Sequence, residues 1–371
     1  MGTMLLYGDS FRNPNLYYRT GFLIGDPVMY FERDGKGTLV VSGFEKARAQ
    51  KESRVGDVRD TDQLGYREAV TDSGDPVAGD VAVIKTVLQG ETEVTVEASF
   101  PVLLADRLRS AGITVTPHRD LVREERRRKS AEEIEALARA QARSEAAISQ
   151  AVEILREALI VDDGLVYRGV PLTAERLRGE LDASFAKDGF SGDGMIIAPG
   201  PGGSDPHWAG TGPIRPHQPI IFDIFPQDRG SRYHGDVTRT YVKGSPTAEV
   251  QLMFDTVLKA QQTALGMIKP GANGRLVHEA VMQTFADAGF ADGGSHSARC
   301  LHGTGHGLGL EVHELPRLSR VDEELLEGDV VTVEPGLYDP EIGGVRIEDV
   351  VVLTSDGVRN LNALPKFLVI D

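Results

Sequence analysis

The chain has 371 residues, 40% of them apolar and 26% charged, a length that favours two domains and a composition typical of soluble globular proteins. Its formal charge of −16 argues against nucleic acid or an anionic membrane surface as a partner. Cys300 is the only cysteine, so no intrachain disulfide can form, and a small buried hydrophobe is expected there in preference to a catalytic thiol.

No basic segment followed by an apolar core opens the chain, and no run reaches transmembrane length, so a cytoplasmic protein is expected. Residues 1–125 mix short strands with one or two helices. Residues 27–42 read as a hairpin turning at Asp34-Gly35, residues 98–111 as a helix, and residues 113–116 as a strand. The charged run 123–129 is interrupted by two acids and reads as a solvated connector.

A long helix is expected next. Ser130 and Glu133 form a capping box, and Ile134, Leu137, Ala138, Ile148, Val152, Leu155 and Leu159 share one face. Gln141 and Glu145 interrupt that face, so the central turns are expected to be half buried, with Ala142 and Ala146 sustaining helix propensity. Further helices are expected over 173–187, from the cap-and-proline pair Ser245-Pro246 to about 268, and over 274–288. Strand-like runs cover 195–198, 219–225, 237–242, 329–334 and 345–353. The alternation of helix pairs and strands fits two similar α+β halves.

The strand-like runs carry an ordered set of polar residues. Asp223 lies in Pro219-Ile-Ile-Phe-Asp-Ile-Phe, Asp236 in Gly-Asp-Val-Thr-Arg-Thr, and His306 in His302-Gly-Thr-Gly-His-Gly-Leu-Gly. Glu334 lies in Val-Thr-Val-Glu-Pro-Gly and Glu348 in Gly-Gly-Val-Arg-Ile-Glu-Asp. Four carboxylates with one imidazole suit a pair of Mn, Co, Fe or Zn ions, and no cysteine cluster points to structural zinc. The glycines at 303, 305, 307 and 309 are not followed by the Lys-Ser/Thr of a phosphate loop. Arg317 stands where a zincin would carry its second histidine, and no Gly-x-Ser-x-Gly elbow is present.

These five segments, in this order, resemble the "pita-bread" metallopeptidases, the family of methionine aminopeptidases, Xaa-Pro aminopeptidases and prolidases. Asn13-Pro-Asn-Leu-Tyr-Tyr-Arg-Thr-Gly-Phe resembles the opening of the creatinase/prolidase N-terminal domain. The resemblance implies an α+β chain: an N-terminal creatinase-like α/β domain (1–125) followed by a pita-bread metallopeptidase domain (126–371), with the site between the halves of the latter. It implies Asp223, Asp236, His306, Glu334 and Glu348 as ligands of two divalent metal ions, Mn being expected and Co, Fe or Zn the alternatives, with a metal-bridging hydroxide as nucleophile. Glu334 would also exchange the proton, while His207 and His313 would bind no metal and stabilise the oxyanion. His302, Tyr338 and Arg346 would face the substrate. Arg346 lies two residues before Glu348, hence on the same face of a strand, where it could pair with a free proline carboxylate or brace a ligand. Thr238 and Thr332 are expected to donate to the acidic ligands. His118, His217, His234, His278 and His296 match nothing in the family pattern, though His234 could share the strand face of Asp236.

One departure stands out. Asp223-Ile-Phe225 replaces the usual Asp-x-Gly, and Asp223 and Asp236 lie two residues further apart than is common, a difference a longer hairpin loop can absorb. Methionine aminopeptidases usually lack a large N-terminal domain and creatinases the full ligand set. The resemblance therefore implies a Xaa-Pro dipeptidase (prolidase), with a Xaa-Pro aminopeptidase on longer peptides as the alternative. A binding protein on a dead peptidase fold is least favoured, since all five ligand positions are filled. The expected partners are a proline-containing dipeptide or short peptide and a second copy in a homodimer, with Arg33, Lys36, Lys46 and Arg48 as candidate caps on the site, from the same chain or a neighbouring subunit.

Overall fold

The hairpin near the N-terminus sets the first sheet. Asp34 and Gly35 take φ of 48° and 73°, the left-handed pair that a two-residue hairpin turn requires, and join Val28–Arg33 to Lys36–Val41. The structure, a computed structural model, describes residues 2–119 and 121–371 and divides into two compact units, 1–126 and 127–371. In the first unit a mixed sheet of six strands runs in the order Asp57–Asp60, Lys36–Val41, Val28–Arg33, Thr3–Gly8, Glu93–Glu97, Thr114–His118. Alternation along the strands sorts its faces: Leu5, Met29, Phe31 and Val40 pack under helices Pro76–Leu88 and Val102–Ser110, while Leu6, Tyr30 and Leu39 form the opposite core with Leu16 and Ala49. The helix expected over 98–111 begins only at Val102. Pro101 is its N-cap, and a proline disfavours helical backbone in the residue before it, so Ala98–Phe100 is a turn.

The charged run is not a solvated connector. Arg123–Arg127 is a short helix, and Arg126, Arg127 and Lys129 are 3%, 6% and 7% exposed. Arg126 donates to Asn15 at 2.7 Å within the first unit. In the second unit Arg127 grips both oxygens of Asp329, at 2.7 and 2.8 Å, and Lys129 meets Glu314 at 2.8 Å. These partners lie 202 and 185 residues away in sequence, so composition alone reads the run as solvated.

The second unit consists of two halves. Helices Ala131–Glu157 and Ala174–Lys187 pack on a sheet ordered Ile196–Pro199, Ile220–Ile224, Val237–Lys243, Val369–Ile370. Helices Ala248–Met267 and Gly274–Asp287 pack against the second half, whose sheet runs Glu314–Leu318, Gly305–Gly307, Val330–Val333, Asp349–Thr354, Gly357–Asn360. A separate hairpin pairs Gly336–Asp339 with Gly343–Arg346. Each fully buried core Leu, Ile, Val or Phe stabilises such a layer by about 1.5–3 kcal/mol.

The capping box forms as expected, with reciprocal Ser130–Glu133 bonds of 2.7 and 3.3 Å. The central turns are half buried at Glu145, with Ala142 and Ala146 exposed, but Gln141 is fully buried against expectation, and Leu159 is 66% exposed because the helix stops at Glu157. The third long helix starts at Ala248, capped by Thr247 accepting from Val250 N–H. Ser245 stays outside because its N–H is taken by His217 Nδ1 at 3.0 Å. The run 345–353 is two strands in different sheets, broken at Ile347 and Glu348, where Glu348 N–H leaves the ladder for Thr238 O. Among the described residues no helix is long and apolar enough to cross a membrane.

Candidate metal centre and active site

Along Ile220–Ile224 the side chains of Ile220, Phe222 and Ile224 enter the core, so Asp223 faces the other way. It pairs in register with Thr238 on the returning strand, and Asp236 immediately precedes that strand. The residues between them close on themselves, Asp228 accepting from Gly230 N–H and Ser231 Oγ at 2.9 Å each and Gly235 N–H donating to Pro226 O, while Gln227–Asp228 also pairs with Phe190–Ser191 outside the loop. The longer loop therefore leaves both aspartates at one place. His234 does not join them. Its ring lies against Gln227 Nε2 and Phe225 O at 3.0 and 3.3 Å, and burial pushes its pKa down to about 4.

His306 sits in the short strand Gly305–Gly307, squeezed between neighbouring backbones. A Cβ on Gly305 would come within 2.0 Å of Thr332 O, and one on Gly307 within 2.0 Å of Leu315 O. Close strand approach thus explains two of the four glycines. The His306 Nδ1 lies 3.1 Å from Gly307 O, and Nε2 lies 3.3 Å from Glu334 Oε1 and 3.9 Å from Asp236 Oδ2. Thr332 Oγ1 accepts the His306 N–H at 3.1 Å, so this hydroxyl serves the histidine backbone and not an acid as expected.

Asp223, Asp236, His306, Glu334 and Glu348 all line one cavity of about 720 Å³. Asp236, His306 and Glu348 each offer a ligand atom, all within 4.8 Å of one another. The cavity is short of positive charge. Burial, then Glu348, Asp223 and Glu334, holds the Asp236 carboxyl well above the carboxylate range. Burial, Glu334 and Asp223 push Glu348 up to about 8. Glu334 goes the other way: burial would raise it, but the bond from His306 holds it at about 2, and the same contact lifts His306 to about 9 against burial. Divalent cations would supply the missing charge, and an oxygen-rich donor set with one imidazole suits them.

Arg346 is 3% exposed and largely committed. It donates to Asp223 Oδ2 at 2.6 Å, Tyr338 Oη at 2.7 Å and Thr238 Oγ1 at 3.2 Å. Thr238 in turn donates to Glu348 Oε2 at 2.7 Å. Tyr338, expected near the substrate, is 2% exposed and does not line the cavity; its hydroxyl joins Arg346 to His302 Nε2 at 2.7 Å. His302 does line the cavity, as do His207 and His313, both exposed. The His313 ring stands edge-on to His306 at 4.4 Å between centroids. Of the N-terminal cations, Arg33 and Arg48 pair with Glu91, Glu45 and Glu52 of their own unit, and Lys46 with Gln63.

Three neighbours of the site have no assigned place there on the sequence alone. Arg317 lines the cavity, is exposed, and lies directly across the strand pair from His306. Its alternation with buried Pro316 and Leu318 on a strand was the available signal. Phe225 lines the cavity where the pattern leads one to expect glycine. Gln141 hydrogen-bonds the Asp236 backbone, and its place on an apolar helix face hinted only at a partner.

Residues 135–355 match the metallopeptidase family M24, and residues 10–127 match the creatinase/prolidase N-terminal domain. A Xaa-Pro dipeptidase of Pyrococcus horikoshii is 29% identical over 96% of this chain and 93% of its own. A probable dipeptidase PepE of Mycobacterium bovis is 31% identical over 95% of this chain and 90% of its own. The crystal structure of the prolidase from Pyrococcus horikoshii OT3 superposes with a TM-score of 0.80 at 27% identity, covering 99% of this chain and 95% of that one. With both units matched, and with a relative 31% identical over nearly the whole of both chains, the chain belongs to metallopeptidase family M24.

Proposed function

We propose that this metallopeptidase hydrolyses Xaa-Pro dipeptides, with Asp223, Asp236, His306, Glu334 and Glu348 holding two divalent metal ions. The observation that carries the reading is the convergence of four carboxylates and one imidazole in a single cavity short of positive charge. Relatives named as dipeptidases and covered over nearly their whole length support the substrate class. Bound divalent ions supply a Lewis acid and a water that loses its proton near neutrality.

The protein's own groups do the rest. Glu334 takes a proton from the attacking water and hands it to the prolyl nitrogen as the C–N bond breaks. The imidazoles of His207 and His313, at the cavity wall, donate N–H bonds to the carbonyl oxygen as it gains charge. Arg346 holds Asp223 in place, and His302, held by Tyr338, forms part of the wall. The exposed guanidinium of Arg317 is the group positioned to meet the free carboxylate of the dipeptide. Manganese, a cytoplasmic setting and a homodimer belong to the same reading.

The test compares a Xaa-Pro dipeptide with the matching Xaa-Pro-Yaa tripeptide, for wild type and Arg317→Ala, under Mn, Co, Fe and Zn. A charge-assisted bond worth about 1.5–3 kcal/mol corresponds to a dipeptide preference of roughly 10- to 100-fold. Arg317→Ala should lose most of that preference through KM. Equal rates on both substrates would replace the dipeptidase by a Xaa-Pro aminopeptidase.

A further inference from the structure

Each half of the catalytic unit sends one buried glutamine from its longer helix to the backbone that carries the acids. Gln141 lies within Ala131–Glu157 and Gln261 within Ala248–Met267, and both are 0% exposed. Gln141 closes a two-bond ring on one residue, donating from Nε2 to Asp236 O at 2.7 Å and accepting from Asp236 N–H at Oε1 at 2.8 Å. Gln261 spans two segments, donating from Nε2 to Val333 O at 3.0 Å and to Ile347 O at 3.2 Å. Val333 directly precedes Glu334, and Ile347 directly precedes Glu348. The two amides therefore hold the backbone at three of the four acids.

Packing alone does not account for these residues. A buried amide costs free energy unless its polar atoms are paired, and a methionine of similar volume fills such a space without that demand. Gln261 does not even pair fully: its Oε1 is buried with no hydrogen-bond partner among the described residues. An orphan acceptor is tolerated at a site where the donor half of the same amide fixes something else. What it fixes is the spacing of two strand exits. Glu334 lies just beyond Val330–Val333, and Glu348 lies between Gly343–Arg346 and Asp349–Thr354.

We propose that Gln141 and Gln261 are positioning residues that set divalent-metal affinity by fixing the carboxylates of Asp236, Glu334 and Glu348 at ligating separation. This rests on the reading that those acids hold metal. Groups that orient ligands from behind typically change metal affinity by about 10- to 100-fold when removed.

The test is Mn²⁺ titration by calorimetry of metal-stripped wild type, Gln141→Met, Gln261→Met and the core variant Val281→Ala, well below each melting temperature. Both glutamine variants should weaken Mn²⁺ binding at least about tenfold. Val281→Ala, which only removes core volume from a fully buried position, should lower the melting temperature and leave the Kd unchanged. Should a Met variant not fold, Gln→Asn at that position decides on the same readout, because its amide is one methylene too short to reach. Kd values within twofold of wild type in the glutamine variants would overturn the proposal. Wild type that binds no Mn²⁺ would instead overturn the metal-site reading itself.

Discussion

In the first half of the catalytic unit, sheet register does much of the placing: Asp223 lies within a strand opposite Thr238, and Asp236 one residue before the same returning strand. In the second half only His306 lies within a strand, while Glu334 and Glu348 sit just past strand ends. Those two acids need support from outside their own ladder, and part of it comes from the first half. Thr238 accepts the Glu348 N–H and donates to its carboxylate, and Arg239 donates to the Glu348 carbonyl at 2.5 Å. Arg239 also meets Asp349 at 2.8 Å, both fully buried. The second half thus places a cavity-lining carboxylate partly by borrowing the first half's strand, so the two halves build one site.

The largest test of that picture removes one acid from each half. Asp236→Asn and Glu348→Gln should remain folded, lose most of their bound metal, and lose more rate than the roughly hundredfold that an outer group costs. Metal analysis and kcat/KM check this. Normal metal content in either variant would confine the site to the other half.

A smaller effect is expected from His313→Ala, which removes a ring that stands edge-on to His306 and that, in the proposed function, binds substrate and not metal. The rate should fall by a factor on the order of a hundred while bound metal stays at the wild-type level. Metal loss in this variant would move His313 into the ligand set.

The smallest expected effect is a pH trend in the metal-stripped protein, and its sign is fixed. Glu348 binds its proton more tightly folded, at about 8 against an ordinary 4.5, and His306 does so at about 9 against 6.5. Stability from both is present at low pH and lost as pH rises through about 5–9, whereas Glu334, held at about 2, loses its contribution only on acidification. In chelator, the melting temperature should fall between pH 6 and pH 8, and metal should remove the slope. A rise over that interval would mean that the acids do not crowd one another.

Much of this arrangement is legible in the sequence. The Asp34-Gly35 turn, the Ser130–Glu133 capping box and the helix pairs follow from local rules, because their hydrogen bonds close within a few residues. The five acid and imidazole positions are legible as an ordered set. Apart from Thr238, which donates to the acid Glu348 as expected, the partners of the buried polar side chains are not. Gln141 reaches a residue 95 positions away, Arg346 one 123 away and Arg127 one 202 away. On the sequence Gln141 reads as an interruption of an apolar face and the charged run as a solvated connector, while Arg346 leaves two readings open, a substrate carboxylate or a ligand to brace, of which the structure shows the brace on Asp223. Local propensity determines that helices, turns and strands form and roughly where, since most backbone bonds are made between near neighbours, although distant partners move some ends, as at Ser245 and Glu348. Which distant group satisfies a buried amide, guanidinium or carboxylate is decided only when the halves pack together, because an unpaired polar group is expensive there and the pairing cannot be read from one segment.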